Sequence, residues 1–333
     1  MAATLKDVAE RAGVSRSAVS RAFTAGASVS AKTRQKIERA AAELGYQPNA
    51  LASSLTTGRT RMIGLVSNNF HNPIFLRVFD LFTRGLQERG LRPLLVNLTD
   101  EVDPDASVRM LRQYSVDGVI VASSTLPASF ADAFRAAGLP VVHSFGRLMA
   151  TPSVDVIGLD NVAAGRLAAQ TLQARGYTRV AFLGGPATAT STQDREAGFV
   201  ATLDGAEDMT VSVSHAAAYT FDAGRAEMQR LLALGPAAEA YFCGDDVLSI
   251  GALSALRDAG LRVPEDVGLI GLNDMDMAGW ANINLTTILN PIAGIIARSI
   301  DLVAGMIDDP KHRPKAHRFE CRIVERGTLR PLP

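Results

Sequence analysis

The run "VSRSAVSRAF", residues 14–23, carries two arginines, three serines and no acid. At 100° per residue Ala18, Val19 and Ala22 share one side of a helix, and Arg16, Ser17, Ser20 and Arg21 share the other. A helix that only covers a core more often carries Glu and Lys on its outer face, paired four apart. This outer face is dressed for an anion instead. A guanidinium suits phosphate oxygens, and it also matches the O6 and N7 acceptors that guanine shows in the major groove of DNA. For Arg21, contact with phosphate alone is an equal alternative to base reading.

The elements around this face are legible from caps and spacing. Leu5, Val8, Ala9 and Ala12 have the i, i+3, i+4, i+7 spacing of a helix, with Thr4 as N-cap and Asp7 three residues on. Gly13 breaks that helix and Ser15 caps the next. The whole reads helix, tight turn, helix, which is a geometry that can place a second helix in the major groove. A third helix starts at Ser30, buries Ile37, Ala40, Ala41 and Leu44, and ends at Gly45. Residues 1–61 hold ten Lys and Arg against four Asp and Glu, while the whole chain holds 34 of each, so residues 62–333 carry an excess of six acids. A basic head on an acidic body fits binding to nucleic acid, because release of counterions from phosphates favours the basic part alone. After the head, "YQPNALASSLTTGRTR" allows a helix too short to persist on its own, with Leu51 and Leu55 unpartnered.

Beyond residue 61 the pattern is rhythmic. "MIGLV", "RPLLVNL", "GVIVAS", "PVVHSF", "VDVIGLD", "RVAFLGG", "VSVSHA", "AYFCGD" and "VGLIGLND" alternate with segments long enough for helices. Short, nearly all-apolar strands of this kind predict parallel sheets covered on both faces. They are too many for one compact sheet, so two doubly wound halves are expected, joined by crossings near Asp160, Leu289 and His317. Ligands of doubly wound sheets sit at the carboxyl ends of the strands.

"TLKDVAERAGVSRSAVSRAF", "VSAKTRQKIERAAAELGYQPNALASSL", "IGLVSNNFHNPIF" and the C-terminal "RIVERGTLRP" make the chain resemble the LacI/GalR family of bacterial transcription regulators, over essentially its whole length. The resemblance implies an α/β chain in three parts: a helix-turn-helix head over 1–46, a hinge helix and linker over 47–61, and a bilobed core resembling periplasmic binding proteins over 62–333. One lobe would hold about 62–160 and 291–318, the other about 161–290 and 319–330. It further implies that Arg16, Ser17 and Arg21 read base edges and that Leu55 wedges into the minor groove at the centre of a near-palindromic operator. Thr4, Leu5, Ser15, Ser20, Asn49 and Ala52 complete the expected DNA contacts.

The effector would lie between the lobes, against Asn69, Phe70, Phe75, Ser123, Phe145, Arg147, Asp160, Arg195, Phe221, Asp245, Asn273 and Trp280. Family members that sense sugars or nucleobases often present Asp where this chain has Ser144 and Asn273. Their replacement, with Arg147 and Arg195 in place, slightly favours a sugar acid or small carboxylate. Asp245 and Asp246 could still hold hydroxyls, so a neutral sugar stays open.

Catalysis is not expected. No phosphate-binding G-x-x-x-x-G-K-[ST] or G-x-G-x-x-G fingerprint and no H-E-x-x-H occurs, and Cys243 and Cys321 read as isolated thiols of a reducing compartment. No metal or cofactor is expected. "MAATLKDVAERAG" has no apolar signal region, which predicts a cytoplasmic protein, and the lack of a C-terminal leucine heptad predicts a homodimer. The alternative is a cytoplasmic small-molecule receptor, or an enzyme of similar fold, without operator binding.

Overall fold

A computed structural model describes residues 3–24, 27–47, 49, 54, 58–68, 70–98, 103–206, 208–309 and 312–333. The expected contacts Ala52, Leu55 and Asn69 lie outside these residues. The chain divides into two units, 1–61 and 62–333.

The first unit contains α1 (Leu5–Ala12), α2 (Arg16–Ala22) and α3 (Ala31–Leu44). Each begins on the cap its sequence announces. Thr4 and Asp7 form a reciprocal capping box, and the hydroxyls of Ser15 and Ser30 accept the N–H groups of Ala18 and Thr33. Gly13 and Gly45 end α1 and α3 in the left-handed region, at φ 65° and 62°. Val8, Ala9, Val19, Ala22, Ile37, Ala40 and Ala41 form the closed core between the three helices.

The second unit is two stacked α/β lobes. The first sheet collects β1 (Met62–Ser67), β2 (Arg92–Asn97), β3 (Gly118–Ala122), β4 (Val141–Ser144), β5 (Asp155–Leu159) and β11 (Ala316–Phe319), in the order β11-β5-β4-β3-β1-β2. Every pairing in it is parallel. The second collects β6 (Arg179–Gly184), β7 (Thr210–His215), β8 (Ala240–Cys243), β9 (Gly268–Asn273), β10 (Thr287–Leu289) and β12 (Arg322–Val324), in the order β12-β10-β9-β8-β6-β7. Here β12 runs antiparallel to β10, a departure from the all-parallel expectation that follows from the chain turning straight back after β11.

Helices α4 (Ile74–Glu88), α5 (Pro104–Gln113), α6 (Ala128–Ala136) and α11 (Ile292–Asp308) flank the first sheet. The second is flanked by α7 (Asn161–Gln173), α8 (Thr190–Leu203), α9 (Phe221–Leu234) and α10 (Asp246–Asp258). Strands β3, β5 and β9 are buried along their whole length, as central strands covered on both faces must be. Helix α11 buries Ile292, Ile295, Ile296, Ile300 and Val303 at helical spacing against the first sheet. No helix among the described residues is long and apolar enough to cross a membrane.

The chain crosses between lobes at Asp160, at Asn290–Pro291 and at Glu320–Cys321. The third crossing falls a few residues beyond His317, because Arg318 and Phe319 still pair with β5. A buried carboxylate anchors it. Asp155, 1% exposed, accepts from His312 Nε2 at 2.6 Å, from His317 Nε2 at 3.3 Å and from the Lys315 N–H at 3.1 Å. In the fold these two histidines compensate a carboxylate that would be costly to bury alone.

A second buried carboxylate ties the other lobe together. Asp246 Oδ2 accepts the Met275 N–H at 2.7 Å and Oδ1 accepts the Thr287 hydroxyl, joining α10 to β10 and to the turn after β9. Burial pushes its carboxyl up to about 7, against these donors. Between pH 4 and 7 the folded chain therefore keeps a proton that the unfolded chain has released, and stability falls as pH rises through that window. We expect the unfolding free energy of the wild type, measured against Asp246→Asn by urea titration, to decline by up to about 1.4 kcal/mol per pH unit from pH 4 to 7 and to level off above it. A difference independent of pH would show that Asp246 does not titrate in this range.

Candidate functional site

On the head, the fold sorts the cations into two groups. Arg11 and Arg39 converge on Glu43, whose carboxyl the two guanidiniums hold below its usual range. Lys6 pairs with Glu10, and Arg34 donates to the Ala22 carbonyl. The side chains of Arg16, Arg21, Lys32 and Lys36 are exposed and make no ion pair or hydrogen bond among the described residues. Helix α2 thus turns Val19 and Ala22 into the core and presents Arg16, Ser17 and Arg21 outward. The other expected contacts are partly engaged. Thr4 and Ser15 serve as caps, Leu5 packs against the head core, and Ser20 is half-buried with its carbonyl accepting from Thr24.

In the second unit, the carboxyl ends of the strands line a cleft between the lobes that holds a cavity of about 50 Å³. From the first lobe Asn72, Phe75, Ser124 and Phe145 line it, with Ile74, Val78, Leu159, Asn290 and Ile292. The second lobe contributes Asn161, Arg195, Tyr219, Asp245 and Asn273.

The charged pair in this cavity is held by local geometry. Arg195, on α8, is 6% exposed; its Nε donates to Asn161 Oδ1 at 2.8 Å and its Nη1 to the Gly244 carbonyl at 2.5 Å. Helix α8 can carry it there only because α7 and α8 touch through glycines. A Cβ at Gly165 would lie 2.1 Å from the Arg195 carbonyl oxygen, and one at Gly198 would lie 2.0 Å from that of Val162. Asp245 caps α10 by accepting the Leu248 N–H at 2.8 Å, and it accepts from Asn72 Nδ2 across the lobes at 2.6 Å. Burial raises its carboxyl, opposed by those two donors and by the charge of Arg195. Asn290 Nδ2 donates to Asn273 Oδ1 at 3.1 Å, which leaves Asn290 Oδ1 buried without a partner. The Tyr219 hydroxyl shares a hydrogen bond with Thr192 at 2.6 Å.

Of the expected effector contacts, Phe75, Phe145, Arg195, Asp245 and Asn273 meet in this cavity. The other expected contacts among the described residues do not line it. Ser123 lies fully buried, bonded to Asn68 and to the N–H groups of Thr125 and Leu126. Phe70 packs on Phe79 at 4.7 Å between ring centroids. Asp160 caps α7 and pairs with Arg318 at 2.9 Å. Arg147 turns away to Asp194, at 2.7 Å. Phe221 opens α9 partly exposed, and Trp280 is 58% exposed, so neither ring walls the cleft.

Asn72 and Asn290, which sequence reading missed, carry a shared signal. Both stand in an Asn-Pro-Ile triplet, "NPI", where a helix starts just after a strand or turn. Pro at such a start leaves the preceding residue extended, so its side chain can face the strand ends. His143 stays outside the cavity; it is buried, donates to the Ser123 carbonyl, and is pushed down by desolvation to about 4. Burial pushes the Cys243 thiol up to about 12.

Residues 4–49 match the family described as bacterial regulatory proteins, lacI family, and residues 169–329 match a periplasmic binding protein-like domain. The HTH-type transcriptional repressor PurR of Vibrio cholerae serotype O1 is 30% identical over 99% of both chains. A solved complex of the transcriptional regulator CelR with cellobiose is 29% identical, covers 98% of this chain and 99% of its own, and superposes with a TM-score of 0.72. The lac repressor dimer bound to operator and the anti-inducer ONPF is 25% identical, covers 99% and 100%, and gives 0.88. These relatives are regulators and not enzymes, and they share both the reading head and the two-lobed core. The chain belongs to the LacI family of bacterial transcription regulators.

Proposed function

We propose that the chain is a homodimeric repressor of the cytoplasm that reads a near-palindromic operator and is controlled by a small neutral, hydroxyl-rich metabolite between its lobes. The DNA reading is supported by the unpaired cations of α2, which cost nothing to bring to DNA because no internal ion pair must break. Arg16, Ser17 and Arg21 read base edges, Lys32 and Lys36 meet phosphate, and Leu55 acts at the dyad. The operator-bound dimer of the lac repressor supports the same assembly.

The observation that carries the effector class is the charge balance of the cavity. One guanidinium and one carboxylate face it, with four Asn side chains, a Ser and a Tyr between walls of Ile, Leu, Val and Phe. A second cation for an anion is lacking in this lining, because Arg147 is spent on Asp194. Hydroxyls both donate and accept, so they can satisfy Arg195 and the unpartnered Asn290 oxygen at once. The slight preference for a sugar acid therefore gives way to a neutral sugar or similar polyol, in line with the neutral disaccharide in the CelR complex.

The DNA assignment is tested by selecting a binding site from randomised duplexes and measuring affinity for that site and for random DNA across salt. Arg16→Ala should cost about 1–3 kcal/mol on the selected site and relax preference at one position of each half-site, whereas Lys32→Ala should weaken all sequences alike and flatten the salt dependence. Equal losses on selected and random DNA for both variants would remove Arg16 from base reading.

A further inference from the structure

Two kinds of contact bridge the lobes, and they differ in whether a ligand can replace them. Inside the cavity, Asn72 reaches Asp245 at 2.6 Å, where any bound molecule must compete with it. Along one flank, outside the cavity lining, Arg147 crosses to the start of α8. Its Nε donates to Asp194 Oδ2 at 3.0 Å and its Nη2 lies 2.7 Å from Oδ1, a two-pronged fork. The same Nη2 reaches the Thr190 carbonyl at 3.1 Å and Gln193 Oε1 at 2.9 Å. The fork is partly withdrawn from water, with side-chain exposures of 35% and 22%.

The chain geometry aims Arg147 there. Phe145 takes φ 65° as its N–H donates to the Ile157 carbonyl, and this turn sends Phe145 into the cavity and the following residues toward α8. Beside the fork, the Ser124 carbonyl of the first lobe accepts the Ser191 N–H at 3.3 Å and the Thr190 hydroxyl at 3.2 Å. Val247 and Met275 of the second lobe also pack into the core cluster that holds Ile74, Phe75 and Val78.

We infer that the Arg147–Asp194 fork is a latch that holds the two lobes closed on this flank whether or not the cavity is filled. Closure then belongs to the chain and not to the ligand. A metabolite enters through transient opening of the latch, and it acts by remaking the Asn72–Asp245 flank inside an already closed molecule. The latch shares the Arg147–Asp194 pair with the reading of the effector class, and separate readouts tell the two apart: exchange at Ser191 reports the latch, and binding of neutral or acidic sugars reports the effector.

The Ser191 N–H supplies a direct reporter. It sits in the first turn of α8, where a helix provides no acceptor of its own, and its acceptor is the Ser124 carbonyl of the other lobe. In the full-length unliganded protein, amide hydrogen exchange should find Ser191 protected. Arg147→Gln and Asp194→Asn should each speed its exchange at least tenfold, while Ile120 in β3 stays unchanged and so shows an intact fold. Gln193, whose N–H bonds to the Ala189 carbonyl within the helix, should also stay unchanged. The reversed pair, Arg147→Asp with Asp194→Arg, should recover part of the Ser191 protection. The latch is overturned if Ser191 is unprotected in the wild type, if its exchange ignores both single variants, or if Gln193 accelerates in step with it, which would mark fraying of α8.

Discussion

A guanidinium does not shed its proton inside a protein, so burying Arg195 obliges the fold to bring acceptors to it. Those acceptors come from separate elements: Asn161 at the start of α7 and the Gly244 carbonyl after β8, with Asp245 opposite in the same cavity. Meeting them requires α8 to approach α7 at backbone distance, which Gly165 and Gly198 permit. Asp245 in turn caps α10 and takes a hydrogen bond from Asn72 in the first lobe. The demand of one buried charge thus runs through both lobes and determines where their polar groups face each other.

The head obeys a complementary rule. Cations that serve the fold are neutralised within it, as Arg11 and Arg39 are by Glu43, and those left unpaired gather on α2 and α3. An unpaired exposed cation costs the isolated head little, since water solvates it, and it gains by releasing counterions from DNA. The same chain therefore uses charge in two ways: matched where water is excluded, unmatched where a polyanion must be met.

What was legible in the sequence follows this division between local and distant causes. Caps such as Thr4, Ser15, Ser30, Gly13 and Gly45 act on residues three or four away, and strands such as "GVIVA" announce burial on both faces by composition alone. The strand-end rule located Phe145, Asp245 and Asn273 because parallel strands put their carboxyl ends on one side of each sheet. The destination of Arg147 was not legible, since its partner lies 47 residues away in the other lobe and an arginine beside a cleft reads equally well as ligand contact or bridge. Phe221 and Trp280 misled for a related reason: a ring near a strand end suggests stacking, yet a helix start or a short turn can leave it at the surface. The antiparallel β12 is only three residues long, too short for any periodicity to show.

The charge balance around Arg195 can be tested by one measurement. Thermal denaturation of the full-length protein can be followed with matched pairs of compounds, each a neutral mono- or disaccharide and its own aldonic or uronic acid, at equal concentration and ionic strength. A ligand that binds only the folded cleft raises the midpoint by mass action. At least one neutral sugar should raise the midpoint, and its acid partner should do so less or not at all. Stabilisation by acids alone, with every neutral partner inert, would contradict it.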